Sequence, residues 1–361
     1  MRGNPFNRCP QIIDRPYPYW GESQYLLVEY RANPLHVLWR PSDSRSCNGM
    51  LLVHGMNEYI GRYRHVAEYF GRRFNVAGVD LHAHGLTNPV LRQADSEIRA
   101  GARTFPADDA FLAQMQLQTL EVMRQDFRAA LKFLRGQCEG EVFVLAHSLG
   151  GLVAASALLG SDDGVRGVIL PGPAFSVSQL PGWRGKLANP MIKTSFQLLE
   201  KCIHHHDSFA CMATLPLDGV MEGLSLPGLR WLFSPCRPEW ILNYLTDWEE
   251  ERERLRNDCY MVSRVLMRYV HGVEKEIVRF RQRMRNFRLP YFLVYSEDDP
   301  ITASWGNRDF AAMTAQNHPL NQVMSIHGSC HEHLFMKPPT PQKILQAMDR
   351  WLDEVMKKEK A

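Results

Sequence analysis

No apolar run in these 361 residues reaches the 18 or so needed to cross a bilayer, so no membrane-spanning helix is expected. The first 25 residues also lack the apolar stretch of a secretory leader. Pro5, Pro10, Pro16 and Pro18 break them up among scattered charges. An excess of either charge is missing as well: 42 Lys and Arg against 39 Asp and Glu leave a formal +3, too little to favour nucleic acid as a partner. Paired cysteine motifs are absent. The eight cysteines (Cys9, Cys47, Cys138, Cys202, Cys211, Cys236, Cys259 and Cys330) include no CxxC and form no tight framework. They read as free thiols in a reducing, cytoplasmic setting. Internal repeats and low-complexity tracts are lacking too. What remains is ordinary globular composition, 45% hydrophobic and 22% charged, in a chain long enough for a large core plus an insertion.

The hydrophobic patterning has a rhythm. Strand-like runs at 25–30 and 36–40, separated by Asn33-Pro34, predict an antiparallel opening hairpin. Apolar strands then alternate with helical stretches: strands at 49–53, 75–81, 142–145 and 165–170, helices at 63–70, 114–134 and 151–159. The 114–134 helix carries Leu117, Leu120, Met123, Phe127 and Leu131 on one stripe. This alternation predicts an α/β architecture, a mostly parallel sheet with helices on both faces. It stops at Pro171-Gly172-Pro173 and resumes with strands at 291–295 and 323–326 and a helix over 341–356. Residues 173–287 between them are punctuated by proline and glycine and are expected to form a helical cap. The division is therefore a core in two parts, 1–172 and 288–361, around a cap at 173–287. Ligand sites in such sheets lie at the carboxyl ends of the strands.

The stretch Ala146-His147-Ser148-Leu149-Gly150 is the most informative in the chain. It places a serine where a buried strand turns sharply into a helix, lifting the hydroxyl above the sheet edge at a helix N-terminus. Such a turn requires small residues two before and two after the serine, and Ala146 and Gly150 meet that need. Ser148 is the candidate nucleophile. A nucleophilic serine needs a base, a carboxylate to orient that base, and donors for the oxyanion. Asp298 and Asp299 follow the strand at 291–295. Asp299 is favoured because it precedes Pro300-Ile301, with Asp298 as the alternative. After the last strand come three histidines, of which His331 is the expected base, His333 the second candidate and His327 a third. His54-Gly55-Met56 follows the first parallel strand. The amides of Met56 and Leu149 are expected to form the oxyanion hole, and Gly55 permits close backbone approach. His54, Gly55 and His147 are expected to line the substrate site beside Ser148. Asp80-Leu81-His82-Ala83-His84-Gly85 reads as a structural brace.

In this order the motifs resemble those of serine α/β-hydrolases of the monoacylglycerol lipase and lysophospholipase branch. The matching stretches are HGMNEYIGRY (54–63), VAGVDLHAHG (76–85), VLAHSLGG (144–151) and HEHLFMK (331–337). Glu58, Arg62 and Tyr63 match the branch's HG-x-x-E-x-x-x-R-Y signature, while Tyr59 stands where many members have His. The resemblance covers about 25–171 and 289–357 and leaves out the cap, which selects substrate. It implies the α/β-hydrolase fold with a helical cap insertion. The implied activity is a serine carboxylic-ester hydrolase acting on a lipid monoester through an acyl-enzyme, with no cofactor or metal. A soluble esterase or thioesterase on a non-lipid acyl group, and a non-catalytic binding protein of the same fold, remain open alternatives.

Within the cap, residues 224–245 carry Trp231, Phe233 and several leucines among few charges. They either contact lipid, giving peripheral membrane contact through the cap, or pack the cap on the core. His204-His205-His206-Asp207 points in too many directions to hold one metal ion and reads as solvated surface. The Glu/Arg-dense 247–258 predicts an exposed helix held by i,i+4 pairs, and the arginines from Arg279 to Arg288 form either a solvated basic face or one that attracts an anionic membrane surface or phospholipid headgroup.

Overall fold

The computed structural model describes residues 19–101, 114, 119–176, 214–216, 239–261, 264–327 and 330–357. Its centre is a run of short strands, mostly apolar and buried along nearly their whole length: β3 (Gly49–Val53), β4 (Asn75–Val79), β5 (Val142–Ala146), β6 (Val165–Pro171) and β9 (Tyr291–Ser296). Strands covered on both faces have no reason to alternate apolar with polar, which is why these read as continuous hydrophobic runs. With β1 (Glu22–Leu26), β2 (Leu35–Arg40) and β10 (Gln322–Ile326) they form an eight-stranded sheet of order β1-β2-β4-β3-β5-β6-β9-β10. The opening hairpin β1-β2 and its pairing with β4 are antiparallel, and the remaining pairs are parallel.

Side chains that alternate along each strand feed two separate cores. Leu51 and Val53 of β3 and Val144 and Ala146 of β5 face one side, with helices α3 (Thr119–Gln137), α4 (Ser148–Ala157) and α7 (Met267–Arg283). Met50 and Leu52, with Phe143 and Leu145, face the other, under α1 (Arg64–Phe70) and α9 (Thr340–Lys357). There Trp351 is fully buried over Gly167, and its indole N–H donates to the Leu320 carbonyl at 2.8 Å. Truncating it to alanine should cost about 3–5 kcal/mol.

Chain order reverses around β3: the chain moves from β3 to β4 on one side, then returns to β5 on the other. The carboxyl ends of β3 and β5 therefore open onto a crevice at the switch point, where open α/β sheets place their ligands.

Several elements differ from the sequence expectation. The first strand spans Glu22–Leu26 rather than 25–30, because Tyr30 and Arg31 leave the hairpin to bind buried Asp126 at 2.8 and 3.0 Å. β4 stops at Val79 because Asp80 turns away to accept four hydrogen bonds, described below. Two helices lie outside the expected elements, α2 (Pro89–Arg99) and α8 (Ser304–Thr314). The first carried a readable signal: Asn88 caps it through Val90 N–H, with proline at the first helical position. Between the two parts of the core, the described residues include α5 (Glu239–Leu245), α6 (Glu249–Asn257) and a small antiparallel pair, β7 (Thr214–Pro216) with β8 (Arg264–Leu266), where only helices were expected. Among the described residues no helix is long and apolar enough to cross a membrane.

Candidate active site

β5 ends at Ala146, His147 turns the chain, and Ser148 opens α4 with a φ of +50°. A left-handed serine costs on the order of 1–3 kcal/mol and persists only where its surroundings fix it. They do: the His147 amide donates to Val53 O (3.0 Å), the Ala174 amide to Ser148 O (2.9 Å), and Gly151 N–H to His147 O (3.2 Å). Gly150 is required to be small, since a Cβ there would lie 2.3 Å from the His54 carbonyl oxygen.

Asp299 lies in the loop after β9 and is buried, whereas Asp298 beside it is exposed. The Asp299 Oδ1 accepts from the amides of Ile301 (2.7 Å) and Thr302 (2.9 Å), and Oδ2 accepts from the Thr302 hydroxyl (2.7 Å). His331 arrives after β10, held by its own amide on Tyr244 O (2.8 Å) and that of Glu332 on Leu245 O (2.9 Å), so the end of α5 seats this segment. His331 Nδ1 is 2.8 Å from Asp299 Oδ2, and Nε2 is 2.8 Å from Ser148 Oγ. Burial raises an aspartate, but the facing imidazole and the Thr302 hydroxyl outweigh it and hold Asp299 well below the usual carboxylate range. Ionised Asp299 can only accept, so Nδ1 carries the imidazole proton and Nε2 accepts from the serine hydroxyl. For His331, burial works against the cation, yet the Asp299 carboxylate, with Glu332 and Glu58 behind it, leaves it above the ordinary histidine value.

The loop after β3 lies directly over this serine. A Cβ on Gly55 would fall 3.0 Å from Ser148 Cβ and 2.6 Å from Glu58 Oε1. The loop's conformation is set from below. His54 Nδ1–H donates to Gly55 O (2.7 Å) while Nε2 accepts from Leu81 N–H (3.0 Å), and Asn57, at φ +63°, donates its amide to His84 Nε2 (3.0 Å). Asp80 accepts from Ile60 N–H, Leu86 N–H, Tyr19 OH and His36 Nδ1 at 2.7–3.1 Å, tying this loop to the next. Met56 N–H has no protein acceptor among the described residues. Leu149 N–H lies in the first turn of α4, where a helix cannot satisfy its own amides.

The structure thus brings Ser148, Asp299 and His331 together beside Gly55 and His147. It corrects the expected role of His54, which is fully buried with both ring nitrogens committed to backbone and has no donor left for a substrate. His147 is likewise buried; its Nδ1–H is given to Glu58 (2.9 Å), and only Nε2 is without a partner. His333 is buried against Gly172, and desolvation depresses it to about 3, while His327 is exposed at the end of β10. Trp231, Phe233 and the His204–Asp207 stretch lie outside the described residues. Among the described residues no group of three or more His, Cys, Asp or Glu side chains is placed to hold a metal ion.

The family model described as Serine aminopeptidase, S33 matches residues 45–337. The chain belongs to this family of serine α/β-hydrolases. Among solved structures, the monoacylglycerol lipase of Paleococcus ferrophilus is similar at 17% identity, over 89% of this chain and 99% of that one (TM-score 0.60). A soluble variant of the monoglyceride lipase from Saccharomyces cerevisiae, in complex with a substrate analog, matches at 15% identity over 96% and 97% (TM-score 0.66). A thermostable carboxyl esterase from Bacillus coagulans matches at 16% over 92% and 98% (TM-score 0.62). At such identities the likeness shows the fold. A search of curated proteins finds no match. Family membership extends across the motifs from the His54 loop to the His331 segment, and the sequence missed three parts of the site within it. Thr302, the pairing of Arg62 with Glu332, and the seating of His331 by α5 depend on contacts between distant residues.

Proposed function

We propose that this protein is a serine carboxylic-ester hydrolase that cleaves the acyl ester of a lipid monoester, a monoacylglycerol or lysophospholipid. The observation that carries the reading is the linear relay from Ser148 Oγ to His331 Nε2 (2.8 Å) and from His331 Nδ1 to Asp299 Oδ2 (2.8 Å). In the proposed reaction Ser148 attacks the acyl carbonyl as His331 takes its proton, and Asp299 fixes the tautomer and stabilises the imidazolium. The amides of Met56 and Leu149 receive the oxyanion. His331 then protonates the departing alcohol. Water, deprotonated by the same imidazole, releases the acid and restores the serine. Gly55 and His147 border the reacting carbon, and Trp231 and Phe233 of the cap are the proposed acyl-chain contacts. The lipid preference is supported by the motif resemblance to the monoacylglycerol lipase and lysophospholipase branch.

Because the family's name refers to amide substrates, the test compares bonds as well as chains. Purified protein is assayed on monoacylglycerols, lysophospholipids, short p-nitrophenyl esters and an aminoacyl amide, with Ser148→Ala alongside. Turnover of lipid monoesters that jumps when substrate passes from monomers to micelles, and falls by about 10⁴–10⁶-fold in the variant, is expected. Preference for the amide, or esterase activity retained by Ser148→Ala, overturns the reading.

A further inference from the structure

One guanidinium in the 3-10 turn Ile60–Tyr63 serves three carboxylates. Arg62 is buried, and its two terminal nitrogens donate to Glu58 Oε2 (2.7 Å), to both oxygens of Glu332 (2.9 and 2.6 Å) and to Glu251 Oε1 (3.1 Å). Its face stacks on the Phe335 ring, 4.3 Å from the centroid. Each carboxylate belongs to a different part of the chain. Glu58 gives its other oxygen to Gly55 N–H (2.5 Å), Tyr63 OH (2.8 Å) and His147 Nδ1–H (2.9 Å), and so holds the loop over Ser148. Glu332 adjoins His331. Glu251 comes from α6, between the two parts of the core, and is buried where the sequence pattern suggested a solvated face.

We propose that Arg62 is a positioning residue, its guanidinium fixing the Gly55–Met56 loop, the His331 segment and helix α6 in a single arrangement around Ser148. This rests on the hydrolase reading above. Two features argue for it. Three buried carboxylates cannot stay ionised together without a cation among them, and partner removal from such a cluster is far more costly than replacing the whole. The geometry also needs a planar fork, because four donor contacts in three directions, one of them bidentate, exceed what an ammonium offers. The titratable and charged groups facing His331 are Asp299 from the β9 loop, Glu332 and His333 from its own segment, Glu58 from the β3 loop, His147 from the turn before α4, and Arg62 behind Glu332. Removing the Arg62 charge makes those surroundings more negative, and removing that of Glu332 makes them less so.

The test uses the full chain and p-nitrophenyl butyrate, with kcat and KM measured across pH for wild type, Arg62→Lys, Arg62→Met and Glu332→Gln. Arg62→Lys is expected to lose about 10–100-fold in kcat with KM held within about threefold, as for supporting groups of other sites. The acid limb of kcat/KM should move up in Arg62→Met and down in Glu332→Gln, by about half a pH unit or more. A role in folding alone would change thermal stability without these opposed displacements. If the arginine variants do not fold, the isosteric Glu332→Gln carries the test. A kcat in Arg62→Lys within about threefold of wild type, or an unmoved limb in Glu332→Gln, overturns the proposal. Fluorophosphonate labelling of wild-type Ser148 separates the two readings: no label means the hydrolase reading itself has failed.

Discussion

Replacing Asp299 with asparagine tests the chemistry at its least accessible point. The carboxamide can keep its carbonyl oxygen on the amides of Ile301 and Thr302, now 2.7 and 2.9 Å from Oδ1. That choice turns the NH₂ toward the position of Oδ2, where it meets two donors, the Thr302 hydroxyl at 2.7 Å and His331 Nδ1–H at 2.8 Å. The conflict is relieved when the imidazole moves its proton to Nε2, so that Nδ1 accepts from the new amide. Nε2–H then faces Ser148 Oγ and can no longer take its proton. Loss of the right tautomer at an equivalent position in another serine enzyme costs about 10⁴ in kcat, or roughly 5.4 kcal/mol of transition-state stabilisation. Asp299→Asn should therefore fall about 10⁴-fold in kcat on a short ester, with KM and melting temperature near wild type. Its acid limb should also move to lower pH, because the carboxylate that raises His331 is gone. Asp298→Asn is the matched control, one residue away and exposed. If Asp299→Asn kept activity within about tenfold of wild type, or if Asp298→Asn were the damaged variant, the assigned relay would be wrong.

Gly55→Ala should lower kcat by about 10²-fold and stability by about 1–3 kcal/mol, since its Cβ would displace either the Glu58 carboxylate or the loop bearing the Met56 amide. Steady-state kinetics check this, and an unchanged kcat would detach that loop from catalysis. Acid should unfold the protein early. Burial lowers His65 and His82 to about 4 and His84 and His333 to about 3. In the unfolded chain these groups bind protons below about pH 6.5, while the folded chain does not until far lower. Stability is thus lost progressively as pH falls from about 6.5 toward 4. The low values of Glu58, Asp80 and Asp299 extend the loss below the carboxylate range. Urea unfolding at a series of pH values measures the slope, and a flat profile between pH 6.5 and 5 would contradict the burial of these neutral rings.

The site concentrates features that a fold selected for stability alone would avoid. Of the five non-glycine residues in the left-handed region among the described residues, Ser148, Asn57 and Ala83, at φ +50°, +63° and +67°, lie at the carboxyl edge of the sheet. At about 1–3 kcal/mol each, this is a sizeable part of a domain's net stability. The offset comes from the strands beneath, whose buried side chains on two faces anchor the point where each of these segments leaves the sheet. A rigid sheet therefore allows strained backbone at its edge to hold the Ser148 hydroxyl 2.8 Å from the His331 imidazole.

What could be read from the sequence follows from how far apart the cooperating residues are. The central strands announce themselves because each is a local apolar run, and the Ser148 turn because its constraints act within five residues. Asp299 and His331 are legible for a related reason: topology fixes which strand ends meet, so a carboxylate after β9 and a histidine after β10 converge whatever lies between. Choosing Asp299 over Asp298 needed only the Pro300-Ile301 context, and burial agrees with it. The misses are of the opposite kind. Glu58 and Arg62 are four apart and visible as a motif, but their partners Glu332 and Glu251 are 270 and 189 residues from Arg62. No local pattern distinguishes the buried Glu251 from the solvated Glu249 and Glu253 beside it in α6. Charge at a helix surface looks the same to a spacing rule whether it meets water or an arginine. The histidines behave similarly: His54 adjoins Gly55 of the loop over the serine, yet both its ring nitrogens serve the backbone, and His147 beside the serine gives Nδ1–H to Glu58. Sequence spacing locates the proposed triad, whereas the groups that hold it in place are paired across hundreds of residues.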